Sequence, residues 1–171
     1  MPTEKSVEMR HEGGMLFAAD PSSGHAMAFD DRVSNQGGSP VETILMALGA
    51  CSAMDVVSIA AKKRQAIDQY RLHVRGTQRD EYPQIFTSID VVHEFVGRDL
   101  SEAALRRSIE LSATKYCPVN AMVSAGDTVV HHRYRIRSTG EAPYEAEDEV
   151  IATGPYARPD ILPDQPGLSG R

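Results

Sequence analysis

SPVETILMALGACSAMDVVSIAAKKR, residues 39–64, is the stretch that decides the fold. Ser39 is placed to be an N-cap and Pro40 to be the first helical residue. Glu42, three after Ser39, completes the pattern of a capping box. The helix is expected to run to about Arg64, where Lys62, Lys63 and Arg64 complement the negative end of the dipole. It is apolar nearly all round, so it needs cover on most sides. One small domain struggles to supply that cover, and a second copy of the chain is a simple source of it. The run from Val41 to Ala61 is also long enough for a membrane span. Asp55, the small polar residues and the lack of aromatic anchors at its ends favour a buried core helix.

Working outward, the pattern predicts an α+β chain. Ser6 to His11, Met15 to Ala19 and His25 to Phe29 read as an antiparallel meander, divided by Glu12-Gly13-Gly14 and by the turn residues 20–24. Residues 30–38 read as a loop. After the helix, Tyr70, Leu72 and Val74 alternate with Arg71, His73 and Arg75, and Ile85 to Val96 reads as a long strand. A second helix is expected from about Ser101, with Asp99 three before Glu102 in a cap-like arrangement. A break and restart follow at residues 115–119, leading to a short helix ending near Ser124 and a last strand from about Thr128 to Ile136. Residues 137–171 hold five of the ten prolines, and seven acidic against three basic residues leave them at −4. They read as a Pro-rich acidic tail or draped arm behind a domain of residues 1–136.

The chain of 171 residues carries a formal charge of −6, and it has no basic stripe to neutralise phosphates, which argues against a nucleic-acid partner. Its first fourteen residues are polar where a secretory signal would be apolar. That predicts a cytoplasmic protein, in which two cysteines are free or redox-active rather than a permanent bridge.

Cys51 lies in the middle of the long helix, and Cys117 immediately precedes Pro118. Spacing alone leaves two readings open, since free cysteine is also a common buried core residue. Pro118 suits the first position of a helix, which makes Cys117 its N-cap and predicts a thiol acidified by the dipole. Cys51 is twelve residues beyond Ser39, too far in for that help. A thiolate there needs a cation brought in by the fold. Asp55 shares a helix face with Cys51 and reads as a hydrogen-bonded core acid. His131 and His132 are adjacent on a strand and point to opposite faces, and His73 and His93 are isolated, so no metal site is expected.

The run at 39–59, SPVETILMALGACSAMDVVSI, resembles the peroxidatic-cysteine helix of the OsmC/Ohr family. The run RDEYPQIFTSIDVVHEFVGRDLSEAALRRSIELSATKYCPVNAM, residues 79–122, resembles that family's resolving-cysteine half. The match covers roughly residues 10–136, and GHAMAFD, DVVSI and KKRQ are most similar to its YhfA-type branch. The resemblance implies an intertwined homodimer with interfacial sites and no cofactor. It implies that Cys51 attacks an organic or lipid hydroperoxide and becomes a sulfenic acid. Cys117 then closes a disulfide, which a lipoyl-type dithiol reopens. The family's activating Arg corresponds to Arg32. Its Glu follows the proline directly, and Val41 stands there, with the acid at Glu42. Glu42 is nine residues before Cys51, about two and a half turns, so the two lie on opposite helix faces. That suits Glu42 to capping. A non-catalytic dimer that senses oxidation or binds an apolar ligand is the alternative the departure favours.

Overall fold

A computed structural model describes residues 3–154. The elements run β1 (Val7–Gly13), β2 (Leu16–Pro21), β3 (Met27–Phe29), α1 (Pro40–Lys62), β4 (Ala66–Gln78), β5 (Phe86–Arg98), α2 (Glu102–Leu111), a wide turn (Ser112–Tyr116), α3 (Pro118–Val123), β6 (Val129–Thr139) and β7 (Tyr144–Thr153). Two compact units divide between Met46 and Ala47.

The N-terminal unit holds the expected meander, β1-β2-β3, antiparallel throughout. The β1–β2 turn needs its glycines, because Gly13 and Gly14 have φ of 118° and 57°. Alternation along the strands gathers Val7, Met9, Met15, Phe17, Met27 and Phe29 on a groove of about 580 Å³. The loop that follows is tied by two carboxylates. Asp30 accepts from the backbone N–H of Asp31 and Gln36, and Asp31 accepts from those of Val33 and Ser34. Helix α1 opens in this unit at Pro40, with the Thr43 N–H and hydroxyl both donating to the Ser39 carbonyl. The reciprocal Ser39–Glu42 capping box is not among the bonds formed there.

In the C-terminal unit the strands are ordered β4-β5-β6-β7. The sheet is mixed rather than purely antiparallel, because β5 and β6 pair in parallel over Ser88–Arg98 and Val129–Thr139. Parallel neighbours need a long crossover, which the helical segments between β5 and β6 supply. A cluster of Val56, Ala60, Phe95, Leu100, Leu105, Ile109, Tyr134 and Ile136 forms the core. Ser101, not Asp99, caps α2, its hydroxyl accepting from the Ala104 N–H. Asp99 instead accepts from the Glu141 N–H. Gly140 makes room for it, since a Cβ there would lie 2.1 Å from a carboxylate oxygen of Asp99.

Helix α1 departs from the expectation of burial on most sides. Leu48, Gly49, Ser52, Val56 and Ala60 form one buried stripe. Gly49 lets the helix close on β4, where its Cβ would meet Val74 at 3.0 Å. Val41, Ile44, Met46, Met54 and Val57 stay exposed, Met54 by 74%. A single sheet has one face to offer, so one chain covers only one face of so apolar a helix.

The reading of residues 137–171 as a tail is corrected by β7. It pairs antiparallel with β6, and Tyr144, Ala146 and Val150 pack on the core. The acidity that suggested a tail is the complement of a basic strand. Arg133, Arg135 and Arg137 stand opposite Glu149, Glu147 and Glu145, and all three pairs form ion pairs. The alternation Tyr144-Glu145-Ala146-Glu147 is a half-buried strand pattern hidden by that charge. Residues 155–171, the rest of the supposed arm, lie outside the described residues. Strand β6 also runs to Thr139, past the expected boundary at residue 136. A chain ending at Thr139 should lose the cooperative urea transition that a chain ending at Gly154 retains. Ile151→Ala should cost about 2–5 kcal/mol. Equal midpoints for the two truncated chains would remove β7 from the core.

Candidate functional site

The site is built inside the C-terminal unit from one face of α1 and the start of α3. Cys51 and Asp55 are four residues apart, so the helix places them one above the other. The sulfurs of Cys51 and Cys117 and a carboxylate oxygen of Asp55 all lie within 4.8 Å of one another. Cys51 is half-buried and Cys117 is 3% exposed, and both are free thiols.

The wide turn brings the second thiol in. Its closing bond runs from the Cys117 N–H to the Ser112 carbonyl, 2.9 Å, spanning five residues rather than four. The side chain of the same Ser112 donates to Asp55 Oδ2 at 3.1 Å and approaches the Ser52 hydroxyl at 3.5 Å. One residue thus links the backbone of Cys117 to the face of α1 that carries Cys51. Cys117 then caps α3, its sulfur accepting from the Asn120 N–H at 3.3 Å.

The cap geometry was foreseen from Pro118, but its consequence is corrected. Burial, with the Cys51 thiol next in effect, pushes the Cys117 thiol up to about 12, against the opposing pull of the Asn120 and Val119 amides. Two amides of a six-residue helix do not offset the loss of water around the sulfur. Cys117 rests here as a neutral thiol.

Behind Cys117 lies a buried polar string that sequence reasoning missed. The Asn120 amide donates to the Ala113 carbonyl at 2.8 Å and to the Thr153 hydroxyl at 3.1 Å. Its Oδ1 faces His132 Nε2 at 3.1 Å, so that nitrogen carries the proton. The His93 and His132 rings stack with centroids 5.9 Å apart. Burial raises the Tyr70 phenol, which stays protonated and donates to His93 Nδ1 at 2.7 Å. His93 Nε2 and His132 Nδ1 have no partner among the described residues. As expected for neighbours on a strand, His131 points the other way and meets Glu149 at 3.1 Å. The alternation that buries Val130 and Tyr134 also predicts a buried His132, the one sequence signal for this string.

Arg32 and Glu42, the other two residues singled out from the sequence, belong to the N-terminal unit, and both are exposed. Neither forms an ion pair among the described residues. Asp55, read from the sequence as a hydrogen-bonded acid, is one, through Ser112.

These features define an α+β protein with a pair of thiols in one site, and comparison with known proteins gives it a family. A family model described as OsmC-like protein matches residues 33–133, and the chain belongs to that family. It is similar to protein YhfA of Escherichia coli K12, 39% identical over 69% of this chain and 88% of YhfA. A solved protein of Aquifex aeolicus VF5 is 27% identical, with a TM-score of 0.69 over 82% of this chain and 100% of that one. The organic hydroperoxide resistance protein OhrB of Bacillus subtilis shares the fold at a TM-score of 0.50, with 15% identity over 81% of this chain and 98% of its own.

The two buried histidines set a pH limit on stability. Burial, with His132 nearby, holds His93 well below its ordinary value of 6.5, and burial lowers His132 to about 4. Both are neutral in the fold, whereas the unfolded chain takes up protons once the pH falls below about 6.5. Stability should therefore be full above about pH 6.5 and decline toward about pH 4, by up to about 1.4 kcal/mol per pH unit for each histidine. Urea midpoints across that range should show it, and His132→Gln should flatten the slope. A flat profile would mean that both histidines are charged or solvated in the fold.

Proposed function

We propose that the chain is a homodimeric thiol peroxidase that reduces organic hydroperoxides, including lipid hydroperoxides. The observation that carries this reading is the meeting of two free thiols, one half-exposed and one buried, within 4.8 Å. The name of the Bacillus subtilis relative, an organic hydroperoxide resistance protein, supports the substrate class. Cys51 is the thiol that a peroxide reaches more readily. Its sulfur attacks the outer peroxide oxygen, the O–O bond breaks, and the alkoxide takes a proton and leaves as the alcohol. Cys51 is then a sulfenic acid. The Cys117 sulfur attacks it, water departs, and a disulfide forms. A lipoyl-type dithiol reduces that disulfide and is itself oxidised to a cyclic disulfide. A reactive thiolate on Cys51 is favoured by a cation, the role that the resemblance implies for Arg32. The exposed apolar face of α1 is suited to a second copy of the chain rather than to lipid, since Asp55 lies in the same helix. Such a protein works in the cytoplasm, where thiols are regenerated.

A second reading has its own support. A buried neutral Cys117 resolves slowly, and Val41 replaces the proline-adjacent Glu of the peroxidatic pattern. A slow dimeric sensor of oxidation, or a binder of apolar ligands in the groove of β1–β3, would be built in the same way. Single-turnover titration with cumene hydroperoxide separates the roles. Cys51→Ser should consume no peroxide. Cys117→Ser should consume one equivalent and leave a trappable sulfenic acid on Cys51. The reverse pattern would exchange the two roles. A parent protein that stops after one equivalent, with a lipoyl reductant present, would favour the sensor.

A further inference from the structure

The peroxidase reading leaves Asp55 without a task, because a carboxylate beside two thiols disfavours their ionisation. It does suit a cation. Asp55 forms no ion pair among the described residues, and its orientation is fixed by the Ser112 hydroxyl at 3.1 Å. A hydrogen-bonded carboxylate aimed at two sulfurs is what a metal ligand with its supporting partner looks like.

We propose that Cys51, Asp55 and Cys117 form a binding site for a thiophilic divalent cation, zinc being the natural occupant. Two sulfurs and one oxygen within 4.8 Å of one another can converge on one ion, since tetrahedral Zn–S of about 2.3 Å and Zn–O of about 2.0–2.2 Å span edges of about 3.6–3.8 Å. Cys51 and Asp55 come preset by their four-residue spacing on α1, and Cys117 is preset by its cap on α3. Cys51 and Asp55 are only half-buried, which leaves the fourth position open to water. Binding converts two thiols and one cation into a dithiolate complex and two released protons. The bound state and the Cys51–Cys117 disulfide exclude each other, since each uses both sulfurs. Metal occupancy therefore masks the thiol pair from oxidants, and oxidation ejects the metal. His93 and His132 take no part, being held by the polar string behind Cys117.

The test titrates the reduced full chain with cobalt(II) as a spectroscopic stand-in, followed by competition with zinc. One cobalt per chain should bind, with an intense thiolate-to-metal charge-transfer band in the near ultraviolet and tetrahedral d–d bands in the visible. Cobalt uptake should release two protons per metal in weak buffer, and zinc should then displace the cobalt with no further proton release. Cys51→Ser, Cys117→Ser and prior oxidation to the disulfide should each remove the charge-transfer band. Asp55→Asn should weaken binding at least tenfold. Ser112→Ala, which keeps all three donors, should weaken it about tenfold. No band in the reduced parent, or a band that survives oxidation, would overturn the proposal. So would unchanged affinity in both Asp55→Asn and Ser112→Ala. Failure to turn over peroxide bears on the peroxidase reading and leaves this one untouched, because the titration uses no peroxide.

Discussion

The site depends on the two-sided grip of Ser112. Its carbonyl closes the wide turn on the Cys117 amide, and its hydroxyl reaches across to Asp55 and Ser52 on α1. An ordinary helical turn would bond residue 116 to this carbonyl. Lengthening it by one residue advances Cys117 to the point where the chain restarts as α3. Pro118 then guarantees the restart, because it cannot donate to the preceding turn. The two thiols meet because one residue is hydrogen-bonded from both ends.

The mixed sheet supports that contact from behind. The crossover from β5 through α2, the wide turn and α3 to β6 makes the β5–β6 pair parallel and sets the helical segments beside the sheet. β7 then closes the edge next to β6, and Thr153 near its end reaches Asn120. Asn120 joins the Cys117 sulfur, through its backbone N–H, to His132 in the core of the sheet, through its side-chain oxygen. Burial of Cys117 is the chief reason its thiol resists ionisation.

Much of this was legible in the sequence where a local rule decides the outcome. The Ser39-Pro40 start of α1, the Gly13-Gly14 turn and the Pro118 restart each follow from backbone chemistry at a few residues. The pairing of Cys51 with Cys117 came from family resemblance, not spacing, since the residues are far apart in sequence and only the crossover unites them. β7 was lost because Glu145, Glu147 and Glu149 look like a solvated tail until Arg133, Arg135 and Arg137 are set opposite them. Such complementarity is a property of the paired strands and is invisible in either alone. The Cys117 thiol was misjudged for a related reason. The dipole of α3 can be read from sequence, while the burial that outweighs it exists only in the folded chain. Arg32 and Glu42 remain assignments by resemblance, each in the N-terminal unit.

The proposed redox site uses Cys51 and Cys117 of one and the same chain. Peptide mapping under non-reducing conditions tests it most directly, on a mixture of isotopically light and heavy protein treated with one equivalent of organic hydroperoxide. A disulfide-linked pair of peptides containing Cys51 and Cys117 is expected, with both peptides light or both heavy. Pairs that mix light with heavy, or two thiols that still alkylate fully after the peroxide is gone, would contradict it.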